Sequence, residues 1–210
     1  MRIEGLLPSV LMMVLSLPVA LPAGEYNRIL NPGDPLPAFE NLPATDGSRL
    51  SASDLKTSVV VLVSLANHCL WVRGMDAGLV ELVEQFKGRD VRIVGFAVNH
   101  RQEDRLPAMK EHARTAGYNF TYVYDESQRL GRELGATHTP EYFVFNAERK
   151  LVYMGLLTNS PARQTRSGGT SFINGEPTEF YVANAINATL EGRPVDPAET
   201  RAHGCTVEYE

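Results

Sequence analysis

Two stretches of this chain are apolar with no helical rhythm, and they frame a third that has one. Val59 to Ser64 is β-branched and uncharged, the pattern of a strand buried on both faces, and Val91 to Val98 reads as a second. Between them Val72, Met75, Leu79, Leu82, Val83 and Phe86 recur at the spacing of one helical face. That helix begins at Cys69, is weakened by Gly74 and Gly78, and ends at Gly88. Two buried strands joined by a helix predict a right-handed parallel βαβ unit.

The same reading extends in both directions. Upstream, Phe39 to Leu50 flanks the turn Thr45-Asp46-Gly47-Ser48 and predicts a β-hairpin, followed by a helical turn over Ser51 to Leu55. Downstream, the polar stretch Asn99 to Asp104 leads to a helix over Leu106 to Ala116. Asn119 to Tyr124 is a short aromatic strand or extended arm, and Asp125 is placed to cap a helix over Glu126 to Leu134. Glu141 to Asn146 and Lys150 to Gly155 predict an antiparallel hairpin around Ala147-Glu148-Arg149. Leu156 to Gly175, rich in Ser, Thr, Gly and Asn, reads as a loop of unusual length. A last amphipathic helix, Pro177 to Glu191, carries Phe180, Ala183, Ile186 and Leu190 on one face, and a Pro-containing tail ends near Gly204-Cys205-Thr206-Val207. This order describes an α/β three-layer sandwich with a mixed central sheet and an N-terminal β-hairpin.

Composition narrows the function more than the fold. At 210 residues, 43% hydrophobic and 21% charged, the chain is long enough for one domain with a full core. A net charge of −5 offers no basic surface for a phosphate backbone, so nucleic acid is not an expected partner. Arg2 precedes an apolar run, and Ala20 and Ala23 precede Gly24, which is the layout of a secretory signal peptide. The expected division is therefore a leader over residues 1–23, a lead-in over 24–36, a domain over 37–192 and a tail over 193–210. The protein is expected to be exported, periplasmic or secreted, with membrane contact only if the leader stays uncut as an anchor.

Export makes a disulfide permissible, and the two cysteines allow one intramolecular pairing, Cys69 with Cys205. A buried, unpaired Cys205 is an equal alternative. Cys69 stands where a buried strand gives way to a helix, in Ser64-Leu65-Ala66-Asn67-His68-Cys69-Leu70-Trp71-Val72-Arg73. A helix N-terminus supplies unpaired N–H groups and partial positive charge, which favour thiolate over thiol. His68 beside it is either a group that favours the thiolate or a solvated residue. Arg73, one turn on, either folds back to supply charge beside Cys69 or is a solvated surface arginine, the commoner case for an exposed charge. Trp71 and Tyr142 read as packing or a shallow apolar rim, and Thr139-Pro140 opens a strand facing Cys69. No cofactor is called for, and His100, His112, His138 and His203 lack metal-ligand spacing.

Taken together, Ala66-Asn67-His68-Cys69-Leu70-Trp71-Val72, Asp125-Glu126-Ser127-Gln128, Gly135-Ala136, Thr139-Pro140, Leu151-Val152-Tyr153 and Gly204-Cys205-Thr206 resemble the redoxins. This group of thioredoxin-fold proteins includes thiol-disulfide oxidoreductases and the alkyl hydroperoxide reductase type of peroxiredoxin. The chain is similar to a bacterial branch in which the first segment reads Cys-Asn-His-Cys-Pro, and the likeness runs from about Pro35 to Val207. Ala66 replaces that branch's first cysteine and Leu70 its proline, so the usual dithiol relay cannot run.

The resemblance implies an exported redoxin acting on protein thiols, disulfides or peroxides, with antioxidant activity in the peroxide case. Cys69 would be the one active-site thiol and Cys205 a resolving or disulfide partner. His68, Trp71, Thr139 and Pro140 would line the substrate. The alternative, from another class, is a redox-inactive binding or scaffold module. Such a module would hold an extended peptide in the groove beside Pro140.

Overall fold

The computed structural model describes residues 24–210. The signal-peptide reading of residues 1–23 lies outside the described residues. The core is a five-stranded mixed sheet of β3 (Val59–Ser64), β4 (Val91–Ala97), β5 (Thr121–Tyr124), β7 (Glu141–Phe145) and β8 (Leu151–Gly155), in the order β5-β4-β3-β7-β8. β3 pairs parallel to β4 and antiparallel to β7, so the expected βαβ unit is joined to the expected hairpin at β3. All six residues of β3 are buried, as an uncharged β-branched run flanked by strands on both sides requires.

Helices cover both faces. Val59, Val61 and Val63 face α1 (Leu70–Gln85) and α4 (Tyr181–Leu190), and Met109 of α2 (Leu106–Thr115) joins the same cluster. Val60 and Leu62 face α3 (Arg129–Leu134) and the N-terminal hairpin of β1 (Leu42–Pro43) and β2 (Arg49–Leu50). Alternation along one strand thus feeds two separate cores. Asp125 lies before α3 and its carboxylate accepts from the Gly131 N–H at 3.2 Å, but the N-cap is Gln128 and the helix starts at Arg129, not at Glu126 as expected. Gln128 before it takes φ 59°, which breaks the helical run. The lead-in is also tied down. Asn27 donates to the Leu134 carbonyl at 2.8 Å, and Gly33 N donates to the Leu151 carbonyl at 2.7 Å.

The structure corrects two expectations. Leu156 to Gly175 is not an irregular loop: Ala162–Gln164 (β9) and Thr170–Phe172 (β10) form an antiparallel hairpin. β9 rests on α1 at Gly74, where any Cβ would lie 2.6 Å from the backbone of Ala162 and Arg163. Gly74 therefore admits a strand to the helix surface, at the cost in helix propensity that its sequence position suggests. The Ala162 N–H donates to Met75 Sδ at 3.2 Å, closing the contact. Ser and Gly hide the hairpin because the packing that holds it is long-range. The second correction is at Phe180, which precedes α4 and is half exposed, whereas Ala183 and Ile186 are buried as expected. No helix among the described residues is long and apolar enough to cross a membrane.

Candidate functional site

The site forms where β3 ends and α1 begins. Ser64 leaves the sheet, Leu65 to Asn67 stay buried, and Cys69 is the N-cap of α1, its carbonyl accepting from the Arg73 N–H at 3.0 Å. Cys69 is 0% exposed. It is joined to Cys205 by a disulfide, with Cα atoms 5.9 Å apart, so the reading of Cys205 as a buried unpaired residue is wrong and Cys69 is not a free thiol here. Cys205 keeps part of its surface in solvent.

Opposite Cys69 stands Thr139-Pro140, with the intervening peptide bond cis. The Thr139 carbonyl oxygen lies 3.1 Å from Cys69 Sγ; a thiol there would donate to it, whereas a disulfide sulfur cannot. The groove expected to receive an extended peptide is filled. Cys205–Thr206 (β11) pairs antiparallel with His138–Thr139 (β6), Cys205 opposite Thr139 and Thr206 opposite His138. Gly204 sits so close that a Cβ would lie 2.1 Å from the Thr139 oxygen. Only glycine allows the tail to run over this edge.

His68 is held from behind. Its Nδ1 is 2.5 Å from Asp104 Oδ2, and its backbone N–H donates to Asp104 Oδ1 at 3.2 Å. Asp104 is 0% exposed, so these bonds are what replaces its lost water. The Asn67 side chain donates to the Glu103 carbonyl at 2.6 Å, pinning the same loop. Asp104 escaped the sequence reading. The available signal was its position in the polar stretch after β4, at the sheet end where β3 delivers Cys69. Arg73 is exposed as expected, yet its Nε folds back to the Asn67 carbonyl at 2.7 Å.

Trp71 lies edge-on to His203, ring centroids 4.4 Å apart. Trp71, Pro140, Tyr142 and His203 leave a cleft of about 10 Å³ between them, room for a water molecule at most. The Tyr142 hydroxyl is fully buried, and burial pushes its pKa well above the usual phenol value. It has no hydrogen-bond partner among the described residues, nor do the hydroxyls of Thr139 and Ser64. Glu141, next along β7, accepts from the N–H groups of Thr137 at 2.8 Å and His138 at 3.1 Å, and burial raises its carboxyl pKa despite them. Among the described residues, no group of three or more His, Cys, Asp or Glu is arranged to hold a metal ion.

A redoxin family model matches residues 31–169, about two thirds of the chain. The protein belongs to the redoxin family. Among solved structures, this redoxin is similar to an uncharacterized conserved protein from Geobacillus kaustophilus. The two are 30% identical over 91% of this chain and 98% of that one, with a TM-score of 0.77. A hypothetical protein from Sinorhizobium meliloti 1021 is 25% identical over 86% of this chain and 96% of that one, with a TM-score of 0.75. A thiol:disulfide interchange protein of the thioredoxin family from Chlorobium tepidum TLS shares the fold, at 24% identity over 60% of this chain and 86% of that one and a TM-score of 0.51. A search of the curated proteins returns no match. The redoxin match ends before α4, so it covers Cys69 and Pro140 but not Cys205.

Proposed function

We propose that this redoxin is a thiol-disulfide oxidoreductase working through the Cys69–Cys205 bond, with Cys205 meeting the incoming thiol and Cys69 leaving. The observation that carries this reading is the asymmetry of the pair. Cys69 is wholly covered at the N-cap of α1, while Cys205 is part-exposed. An incoming thiolate attacks Cys205 Sγ, the S–S bond breaks, and its electron pair goes to Cys69. Thiolate there is favoured by the unpaired N–H groups and positive end of α1, which makes Cys69 the better leaving group. A second substrate thiolate then attacks the substrate sulfur of the mixed disulfide and releases Cys205. Two substrate thiols become one disulfide, and the protein disulfide becomes a dithiol. A disulfide of a second couple restores it by the reverse steps.

The roles of the two cysteines are thus exchanged relative to the expectation from sequence, in which Cys69 attacks. Ala66 is no obstacle in this cycle, because the partner of Cys69 comes from across the groove. A peroxide finds less support: Ala66 has no hydroxyl to orient it, and Cys69 has no exposed surface. The name of the Chlorobium tepidum protein agrees with exchange chemistry. We place the activity outside the cytosol, periplasmic or secreted, because a standing disulfide persists in an oxidising compartment and the Arg2 to Ala23 layout suits a leader.

The test compares single-cysteine variants with an aromatic disulfide reagent under native conditions. Cys69→Ser, which leaves Cys205, is expected to form the mixed disulfide at least about tenfold faster than Cys205→Ser, which leaves Cys69. Faster reaction at Cys69 would reverse the assignment. A native disulfide that no thiol opens would make the bond a static clasp and the protein a redox-inactive scaffold.

A further inference from the structure

The geometry points to a low-molecular-weight thiol, not a cysteine within an extended polypeptide, as the substrate of this site; the inference rests on the exchange reading above. An extended chain is received by adding a strand to a free edge and seating alternate side chains in pockets. Beside Cys69 that edge is His138–Thr139, and the protein's own tail occupies it, through Cys205 opposite Thr139 and a further bond from the Val207 N–H to the Thr137 carbonyl at 2.9 Å. The side-chain pocket is also closed, since His203 lies on Trp71 and the cleft beneath holds about 10 Å³.

Opening the disulfide does not clear this edge. Upstream, the Thr200 N–H donates to the Met154 carbonyl and the Met154 N–H to the Ala198 carbonyl, both at 3.0 Å, while Thr200 Oγ1 accepts from the Leu156 N–H at 2.8 Å. Downstream, the Glu208 N–H donates to Asn99 Oδ1 at 2.9 Å, Gln128 Nε2 to the Glu208 carbonyl at 2.8 Å, and the Tyr209 hydroxyl to the Ala136 carbonyl at 2.7 Å. Val207 is buried between them. None of these bonds involves sulfur, so residues 201–204 form a strap held at both ends in either redox state. A polypeptide would have to displace it. A small thiol needs only to bring one sulfur in line with the disulfide at the part-exposed Cys205.

The experiment measures opening of the native disulfide in the full protein by free cysteine and by a reduced, unfolded polypeptide bearing one cysteine, with rates expressed per thiolate. Cysteine is expected to react about 100-fold faster, a difference of two factors of ten in barrier terms. Polypeptide and cysteine rates within about threefold of each other would overturn the inference while leaving exchange intact. Reaction with neither would bring down the exchange reading and this inference with it. Gly204→Ala places a methyl against the Thr139 carbonyl and lifts the strap; Gln128→Ala loosens its downstream tie without touching the site. In whichever variant keeps its thermal unfolding transition, the polypeptide rate should rise about tenfold and the cysteine rate stay within about threefold. Equal change in both rates would show that the strap does not select.

Discussion

Cys69 and Cys205 share one bond, but the structures that deliver them differ in kind. Cys69 sits at a β-α junction: β3 is buried along its whole length, α1 starts at the cysteine, and each is written in a continuous hydrophobic pattern. Cys205 sits in a tail with no regular element longer than the two residues of β11, placed by hydrogen bonds to Met154, Thr137, Asn99, Gln128 and Ala136. One cysteine is fixed by local sequence and the other by tertiary contact. The contrast explains why Cys69 is buried within the fold whereas Cys205 is only part-buried and held through its tail.

The largest effect expected from breaking this arrangement comes from the bond itself. It spans 136 residues, and loop-closure entropy in the denatured chain is worth about 5 kcal/mol for a loop of that size. Cys69→Ser with Cys205→Ser should lower unfolding stability by up to that amount in denaturant titration, and reduction of the natural protein should match it. Because the tail has ties of its own, amide protection at Val207 and Glu208 should survive in the double variant. Loss of that protection would mean that the disulfide alone places the tail.

The same contrast sets what could be read from the sequence. The βαβ unit and the hairpin after Pro140 were legible because each is a run of buried residues with its own period. So was the placement of Cys69 opposite Thr139-Pro140, which follows from the order of those elements. Cys205 could be paired with Cys69 only as one option among three, since nothing near Gly204 shows that β6 lies beside it. Asp104 was invisible for a related reason. A buried carboxylate in a polar loop looks like any solvated acid until the His68 ring is placed against it. The β9–β10 hairpin was missed because its stability comes from α1 through Gly74 and Met75, not from its own residues.

On the Cys69 side, His68→Ala is expected to cost about 3 kcal/mol, because it removes the ring that partners Asp104 and leaves a carboxylate of 0% exposure with one backbone donor. His68→Ala combined with Asp104→Leu should recover most of that loss. No recovery in thermal unfolding would mean that His68 is held by something other than this pair.

On the Cys205 side, Gln128→Ala removes four bonds, to the Val98 and Glu208 carbonyls and from the Glu210 N–H and Arg132 Nη2. At about 1 kcal/mol net for each, with partial replacement by water, the loss should be about 2 kcal/mol. Hydrogen exchange should quicken at residues 206–210 and leave β3 unchanged. Equal quickening in β3 would show that the two sides are one cooperative unit.

The smallest effect lies between the two sides, at Glu141, which begins β7 and ties the backbone of Thr137 and His138 beside β11. Burial raises its carboxyl pKa above the ordinary value for glutamate, so over the interval between its unfolded and folded pKa the native state binds more protons than the unfolded chain. The slope of stability against pH from this group is therefore negative. Its contribution is most favourable below the unfolded pKa, falls as pH rises through the raised one, and stays lower at neutrality. Glu141→Gln cannot ionise, yet its side-chain oxygen can still accept from Thr137 and His138. Denaturant unfolding of both proteins from about pH 4 to pH 7, the range over which a carboxyl with a raised pKa loses its proton, should show the variant gaining on the natural protein as pH increases. Parallel curves would mean that Glu141 keeps its ordinary titration, and that its bonds to β6 offset the whole cost of burying its charge.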